Sequence, residues 1–387
     1  MATGQNGIQF TVLTSIAELE AYEAAYRALF DASDASPYHA YEWLHAYLQH
    51  HPAPAGVFIC IATDHEGPLA VIPMAAQRNL LATHLTGFGD GPANVVTGCY
   101  LPRAAGLPLV RMAADWVRRH HIKWDYLAWD RVTADTCLEL ARDADSDRSR
   151  FATTAMAPSM VIDLPATWDD YLASRNRNHR SNIRRCIRNL EASGEVVMKR
   201  LGLGAEDDTS AIDQLIEDAL TVSRLSWQGS AAHGHAICDA DWIGFFRDSS
   251  RALARRGMLD LGLLYVDCRP VAFSWGHQRG GKSWIASSGF DQALRDESPG
   301  LVLDAMVIKD SIERGMRELD WGHQFPEYKQ RWITREFPIY EICLYANRHL
   351  SPLKRRVQAR WDRSVAPRLA GVQYAPELLV ALPAYGV

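Results

Sequence analysis

Between Tyr171 and Leu190 the chain has no acidic residue, although Asp and Glu outnumber Lys and Arg overall by 46 to 41. The same segment, YLASRNRNHRSNIRRCIRNL, carries six arginines. The absence removes the nearest carboxylate partners, so the segment points either to an anionic ligand or to a solvated face paired with acids elsewhere. The formal net charge of -5 excludes a general nucleic-acid binder, which needs a basic domain, and no DNA partner is expected. Cysteines are few and scattered, seven in all and without a C-x-x-C pair, which excludes a disulfide framework and fits a reducing compartment. No run approaches the roughly 20 apolar residues of a membrane span. No basic-then-apolar leader is visible at the start, so a cytoplasmic location is expected. His233, His235 and Cys238 form a loose cluster with no fourth ligand nearby, and no metal site is expected.

What is present is a globular composition, 48% hydrophobic and 22% charged, in a chain too long for one ordinary core. The β-branched and aromatic runs IQFTVLT, GVFICIAT, GPLAVIPMAAQ and WDYLAWD read as strands, with helices expected over 15–30, 38–50 and 105–120. The polar stretch ARDADSDRSR reads as a connection, placing a boundary near 145–154. Beyond it, SMVIDLP reads as a strand, followed by the arginine helix and helices near 208–225 and 240–255. MLDLGLLYV, RPVAFSWGHQ and KSWIASSGF have short turns between them and read as an antiparallel meander. A helix over 299–314, the strands RELDWGH and PIYEICLY and a basic helix from Pro352 complete the reading. Units at 1–150 and 156–350, with a C-terminal helix and tail over 351–387, are therefore expected.

The two halves share an order of features: strand, Gly-Phe, polar loop, arginine, helix, then a strand with Asp before an aromatic. It runs from Gly87 to Asp125 and again from Gly289 to Asp320. A duplicated unit accounts for it. In the second copy Ser298 suits an N-cap, Pro299 the first helical position and Gly315 the end. The amides of Gly300 and Leu301 would then face an anion at the helix start, with Arg295 adding charge. A capped helix with no ligand is the plainer alternative.

Here a resemblance enters. Arg295-x-x-Ser298-x-Gly300 resembles the R/Q-x-x-G-x-G/A pyrophosphate pattern of GNAT-superfamily acyltransferases, with Ser for the middle glycine. The first half has Arg103-x-x-Gly106-x-Pro108, in which proline removes an amide. Asp320-Trp321 followed by Tyr328-Lys329, the basic helix and RLSWQGS resemble a branch found beside cellulose and exopolysaccharide genes and related to the Fem peptidyltransferases. The resemblance covers 155–365 well and the first half loosely. It implies an α+β chain of two tandem GNAT-like domains, each a mixed, mostly antiparallel sheet flanked by helices, the first degenerate. It implies an acyl-CoA donor, acetyl-CoA foremost, or an acyl-carrier protein, and as acceptor an amine of a small molecule or of a saccharide or peptide precursor. An aminoacyl-tRNA-dependent peptidyltransferase and a non-catalytic binding protein on the same fold are the alternatives. The branch carries Gly-Asp where this chain has Gln324 and Phe325.

Acyl transfer to an amine needs a neutral amine, a polarised thioester carbonyl and a protonated leaving thiol. His323 and Glu327 are the expected bases, Tyr328 the group near the thiolate, and Asp320 the strand end beside the thioester. A polar loop with a buried tyrosine is the plainer reading of those residues. Lys329 would hold an anionic group, and Trp227 and Trp321 could line an acceptor pocket. Arg180 and Arg184 would meet a polyanionic donor.

Overall fold

A computed structural model describes residues 7–51, 53, 55–78, 82–88, 98–105, 107–133, 151–201, 209–230, 236–323 and 329–346. The basic helix expected from Pro352 lies outside these residues, as do His233 and His235. Two sheets organise the chain. The first runs β1 (Gln9–Leu13), β2 (Val57–Asp64), β3 (Gly67–Arg78), β4 (Thr83–Thr86), β6 (Tyr126–Thr133), β15 (Ile339–Tyr345), β7 (Phe151–Ala155), with β5 (Cys99–Tyr100) beside β3. The second runs β9 (Val196–Leu201), β10 (Leu259–Val266), β11 (Arg269–Arg279), β12 (Lys282–Phe290), β13 (Glu318–Asp320), β8 (Ser159–Asp163), β14 (Arg335–Phe337).

Read side by side, the sheets repeat one plan. Four strands pair antiparallel, a crossover helix follows, and the fifth strand returns parallel to the fourth, as β4 with β6 and β12 with β13. The crossovers carry α4 (Leu109–His120) and α10 (Pro299–Glu313). The helix expected from 105 begins at Leu109 because Pro108 occupies its N-cap position. The helix expected over 15–30 is two, α1 (Ile16–Ala21) and α2 (Glu23–Asp31), broken at Tyr22.

One feature departs from two self-contained halves. β15, expected with the second unit, is hydrogen-bonded into the first sheet between β6 and β7. β8, which follows β7 in the chain and opens the second unit, sits in the second sheet between β13 and β14. The segments 151–163 and 335–345 thus form one antiparallel ribbon crossing both sheets, with Tyr340 opposite Ala155 and Phe337 opposite Ser159.

The helices set the layers. α4 covers the outer face of the first sheet. On the outer face of the second sheet lie α5 (Trp168–Ser174), the arginine helix α6 (Arg177–Glu191) and α10, over Ile183, Cys186, Leu190, Val302 and Ile308. Between the sheets α2 and α3 (Tyr41–His50) meet α7 (Thr209–Leu225), which is followed by the single turn α8 (Trp227–Ser230), and α9 (Ile243–Ala254) in one shared core, with Trp43 edge-on to Phe245 at 4.7 Å. Among the described residues no helix is long and apolar enough to cross a membrane.

Candidate active site

The second unit opens along β12. Only Lys282, Ser283 and Trp284 pair with β13, so the remaining residues to Phe290 run on without that neighbour and leave a wedge between the parallel strands. Beside the opening β12 carries a bulge. Trp275 faces Ser287 and Gly276 faces Ile285, so Ala286 is the extra residue. Gly276 permits this approach: a Cβ there would lie 2.0 Å from the carbonyl oxygen of Trp284. A bulge re-aims its backbone groups out of the ladder, here beside the opening between β12 and β13.

The chain after Phe290 makes a short 3-10 turn, Gln292–Glu297, and enters α10 through Ser298, whose φ of 57° is left-handed. Contrary to the expected N-cap, the Ser298 side chain makes no capping hydrogen bond; its carbonyl accepts from the amides of Leu301 and Val302 at 3.1 and 3.3 Å. Leu301's amide is thereby used inside the helix. Pro299 has none, so Gly300 keeps the free amide. Arg295 is exposed and makes no ion pair with a described residue.

The sequence-predicted site residues divide at β13. Asp320 ends that strand, and its Oδ1 accepts from the Ser159 hydroxyl at 2.5 Å and the Gly322 amide at 2.8 Å. Lys329 donates from Nζ to the Trp321 carbonyl at 2.7 Å. Burial raises Asp320 above the ordinary carboxylate range and lowers Lys329, whose charge Asp304 and Asp320 support. His323 is pushed down to about 4 by burial and the nearby Arg131, so it is neutral at physiological pH. Glu327 and Tyr328, like Gln324 and Phe325, lie outside the described residues. Trp321 is 4% exposed and packs on Trp332, while Trp227 is 57% exposed.

Three contributors were not found in the sequence. Asp304, in the second turn of α10, is pushed up to about 7 by burial. It interrupts the apolar stripe of Leu301, Ala305 and Ile308, and a charge inside such a stripe was the available signal. Tyr38 comes from the first unit, is buried, and is raised by burial and by Asp320. Arg131 takes a left-handed backbone, φ 57°, at a bulge of β6 opposite β15, and its guanidinium bridges to Asp130 at 2.8 Å. The first unit thus reaches the end of β13, an arrangement no local pattern announces.

The arginine helix packs against α10 and the 3-10 turn. None of its arginines, nor Arg175 just before it, pairs with a carboxylate among the described residues. Arg180 caps α5, donating from Nη1 to the carbonyls of Leu172, Ala173 and Arg175 at 3.4, 3.3 and 2.8 Å. Arg175 donates to Trp332 and Ile333 carbonyls at 3.2 and 2.5 Å. Arg184 and Arg188 are exposed and make no hydrogen bond or ion pair among the described residues.

Residues 177–330 match the family model described as "Acetyltransferase (GNAT) domain". Among solved structures the chain is similar to FemX, at 12% identity and TM-score 0.58 over 89% of this chain and 99% of that one. It is similar to the C-terminal domain of a putative lysylphosphatidylglycerol synthetase from Agrobacterium fabrum, at 10% identity and TM-score 0.56, covering 91% and 97%. L-PGS from Bacillus licheniformis follows at 12% identity and TM-score 0.51, covering 85% and 99%. No curated protein sequence matches the chain. The architecture is a mixed α+β arrangement of two mostly antiparallel sheets flanked by helices, with the matched residues 177–330 in the second unit.

Proposed function

We propose that this chain, built of two GNAT-like units, is an N-acyltransferase of the exopolysaccharide-associated branch, moving an acyl group from a coenzyme A or carrier-protein thioester to an amine. One observation carries the reading: the wedge between β12 and β13 opens beside the Ala286 bulge and ends at the start of α10, where Gly300 keeps a free amide. The pantetheine arm lies in the wedge, its carbonyl at the bulge and its phosphates toward Gly300 and Arg295. Asp320, His323 and Lys329 close the far end, where the acceptor amine enters. The first unit supplies Tyr38 and Arg131 to that end. Hydrogen bonding from a fixed backbone amide strengthens as charge develops on the carbonyl oxygen, which is the larger part of such catalysis.

The exposed Arg184 and Arg188 favour a second reading with a polyanionic donor, an aminoacyl-tRNA, used by the same wedge. Free-thiol release from acetyl-CoA and longer thioesters across a panel of primary amines tests the first reading, with thermal shift reporting donor binding. Thiol release dependent on an amine supports it. Binding of tRNA with no response to any thioester favours the second, and binding of neither marks a protein without transferase activity.

A further inference from the structure

We propose that the first unit carries a small-molecule site of its own, between β3 and α3, for a planar ring bearing an anionic group. The observation is a cavity of about 680 Å³. It is bounded by the end of β3 from Ala75 to Arg78, by Gly87 and Phe88 just beyond β4, and by Tyr47 and His51 at the C-terminal end of α3. Small-ligand sites span roughly 300–1,000 Å³.

Its place in the fold says what the ligand is not. Gly87 and Phe88 are the first unit's counterparts of Gly289 and Phe290, where the second unit's donor wedge runs out towards Gly300. The fittings for a donor are missing here. Arg103, the counterpart of Arg295, is spent on Asp64 at 3.0 Å and on the carbonyls of Gly67 and Pro68 at 3.3 and 2.9 Å. Pro108 stands at the start of α4 and has no N–H to give. A pyrophosphate thus finds no free cation in Arg103 and no amide at Pro108. The space remains, and it suits a smaller molecule than a coenzyme A thioester.

The lining says what the ligand is. Tyr47 stands edge-on to Phe88 with ring centres 5.8 Å apart, a wall against which a planar ring packs. Four alanines, Ala53 among them, complete the apolar lining, and their short side chains leave the room open. His51 is held from the second unit. Trp242 lies against its ring at 4.1 Å, and the neighbouring His50 bonds Asp248 at 2.8 Å. The Nε2 of His51 is buried and meets no hydrogen-bond partner among the described residues. Burial, and then His50, lowers its proton affinity, so the ring is neutral at pH 7. A buried ring nitrogen without a partner costs stability, and a polar group brought to the ring edge supplies the missing bond. Arg78 is exposed and makes no hydrogen bond or ion pair among the described residues, so its charge is open to a carboxylate or phosphate. Aromatic carboxylates and nucleoside monophosphates share this chemistry.

The test uses the full chain with no thioester present. Benzoate, indole-3-acetate and uridine monophosphate are titrated by calorimetry and thermal shift, beside acetate, inorganic phosphate and benzyl alcohol. The ring acids should bind and raise Tm, and the three controls, each with half of the chemistry, should bind more weakly. The tighter of the carboxylates and the nucleotide identifies the source of the anion. Arg78→Ala should weaken the ring acids by about two- to fivefold, as expected of an exposed ion pair, and flatten their salt dependence, with the Tm of the free protein kept. His51→Phe keeps the ring packing and removes both nitrogens, so it should weaken binding while that Tm holds or rises. Ala53→Phe, at a half-buried loop position, should fill the cavity and abolish binding. Binding of no ring acid, ring acids no tighter than the controls, or parental affinity in either Ala53→Phe or Arg78→Ala overturns the proposal, whatever the second unit transfers.

Discussion

Phe290, the last residue of β12, lies against Gly300, the second residue of α10: a Cβ on Gly300 would sit 2.9 Å from Cδ1 of that ring. The glycine that reads in the sequence as room for a phosphate is also required by packing. Gly300→Ala should cost about 1–3 kcal/mol through overpacking, measured by urea denaturation, and Phe290→Leu in the same chain should recover most of it. An alanine variant as stable as the parent but weaker for the donor would show that the glycine serves the ligand alone.

The arginines separate into two kinds. Arg180→Ala removes the donor that satisfies three carbonyls at the end of α5, so it should lower Tm while leaving the salt dependence of donor binding unchanged. The double variant Arg184→Ala and Arg188→Ala should do the reverse, weakening a polyanionic donor and flattening its salt dependence with Tm preserved. Thermal denaturation and binding at two ionic strengths measure both. If the double variant binds as the parent does at low salt, the exposed arginines do not meet the donor.

Local patterns made much of this legible. The three-strand meander, the Ser-Pro-Gly helix start and the Gly-Phe repeat are all short-range signals, and each sits where the sequence places it. What escaped is what depends on distant residues. The crossing of β15 into the first sheet is invisible to period-two alternation, because a strand reads the same whichever sheet it enters. Ser298 reads as a side-chain cap but adopts a left-handed turn imposed by the preceding 3-10 segment. Tyr38 lies nearly 300 residues upstream of the strand end it approaches, and no local pattern joins the two.

His277 is fully buried with both ring nitrogens unpartnered, edge-on to Tyr38 at 4.8 Å, Trp43 at 5.0 Å and Trp275 at 5.1 Å. Burial pushes it down to about 3. The folded chain therefore holds it neutral, while the unfolded chain protonates it below about pH 6.5. Stability is fully present above that value and falls as pH drops towards 3, by up to about 1.4 kcal/mol per pH unit for one such group. His277→Leu should keep or raise Tm at pH 7 and shrink its decline between pH 7 and 5. An unchanged decline would assign acid sensitivity to other groups, such as His179, which is also buried and lowered, to about 4.

The shared ribbon bears on how the chain unfolds. The first sheet takes β15 from the second unit's side of the chain, and the ribbon 151–163 with 335–345 contributes strands to both sheets. Arg279 of the second unit adds donors to the carbonyls of Phe30, Ser33 and Ala35 in the first, at 2.9, 2.9 and 2.6 Å. The core between the sheets draws on both units, so melting one exposes the apolar face of the other. Separate domains joined by a linker would melt in two steps, whereas this arrangement should melt in one, with calorimetric and van't Hoff enthalpies equal. Ile342 of β15 is 1% exposed in the core beneath the first sheet. Ile342→Ala should cost about 2–5 kcal/mol and move the whole transition to lower temperature, including the near-ultraviolet signal of Trp275 and Trp332 in the second unit. A variant in which the first unit melts early while those tryptophans keep their parental midpoint would show that the ribbon joins the sheets without coupling them.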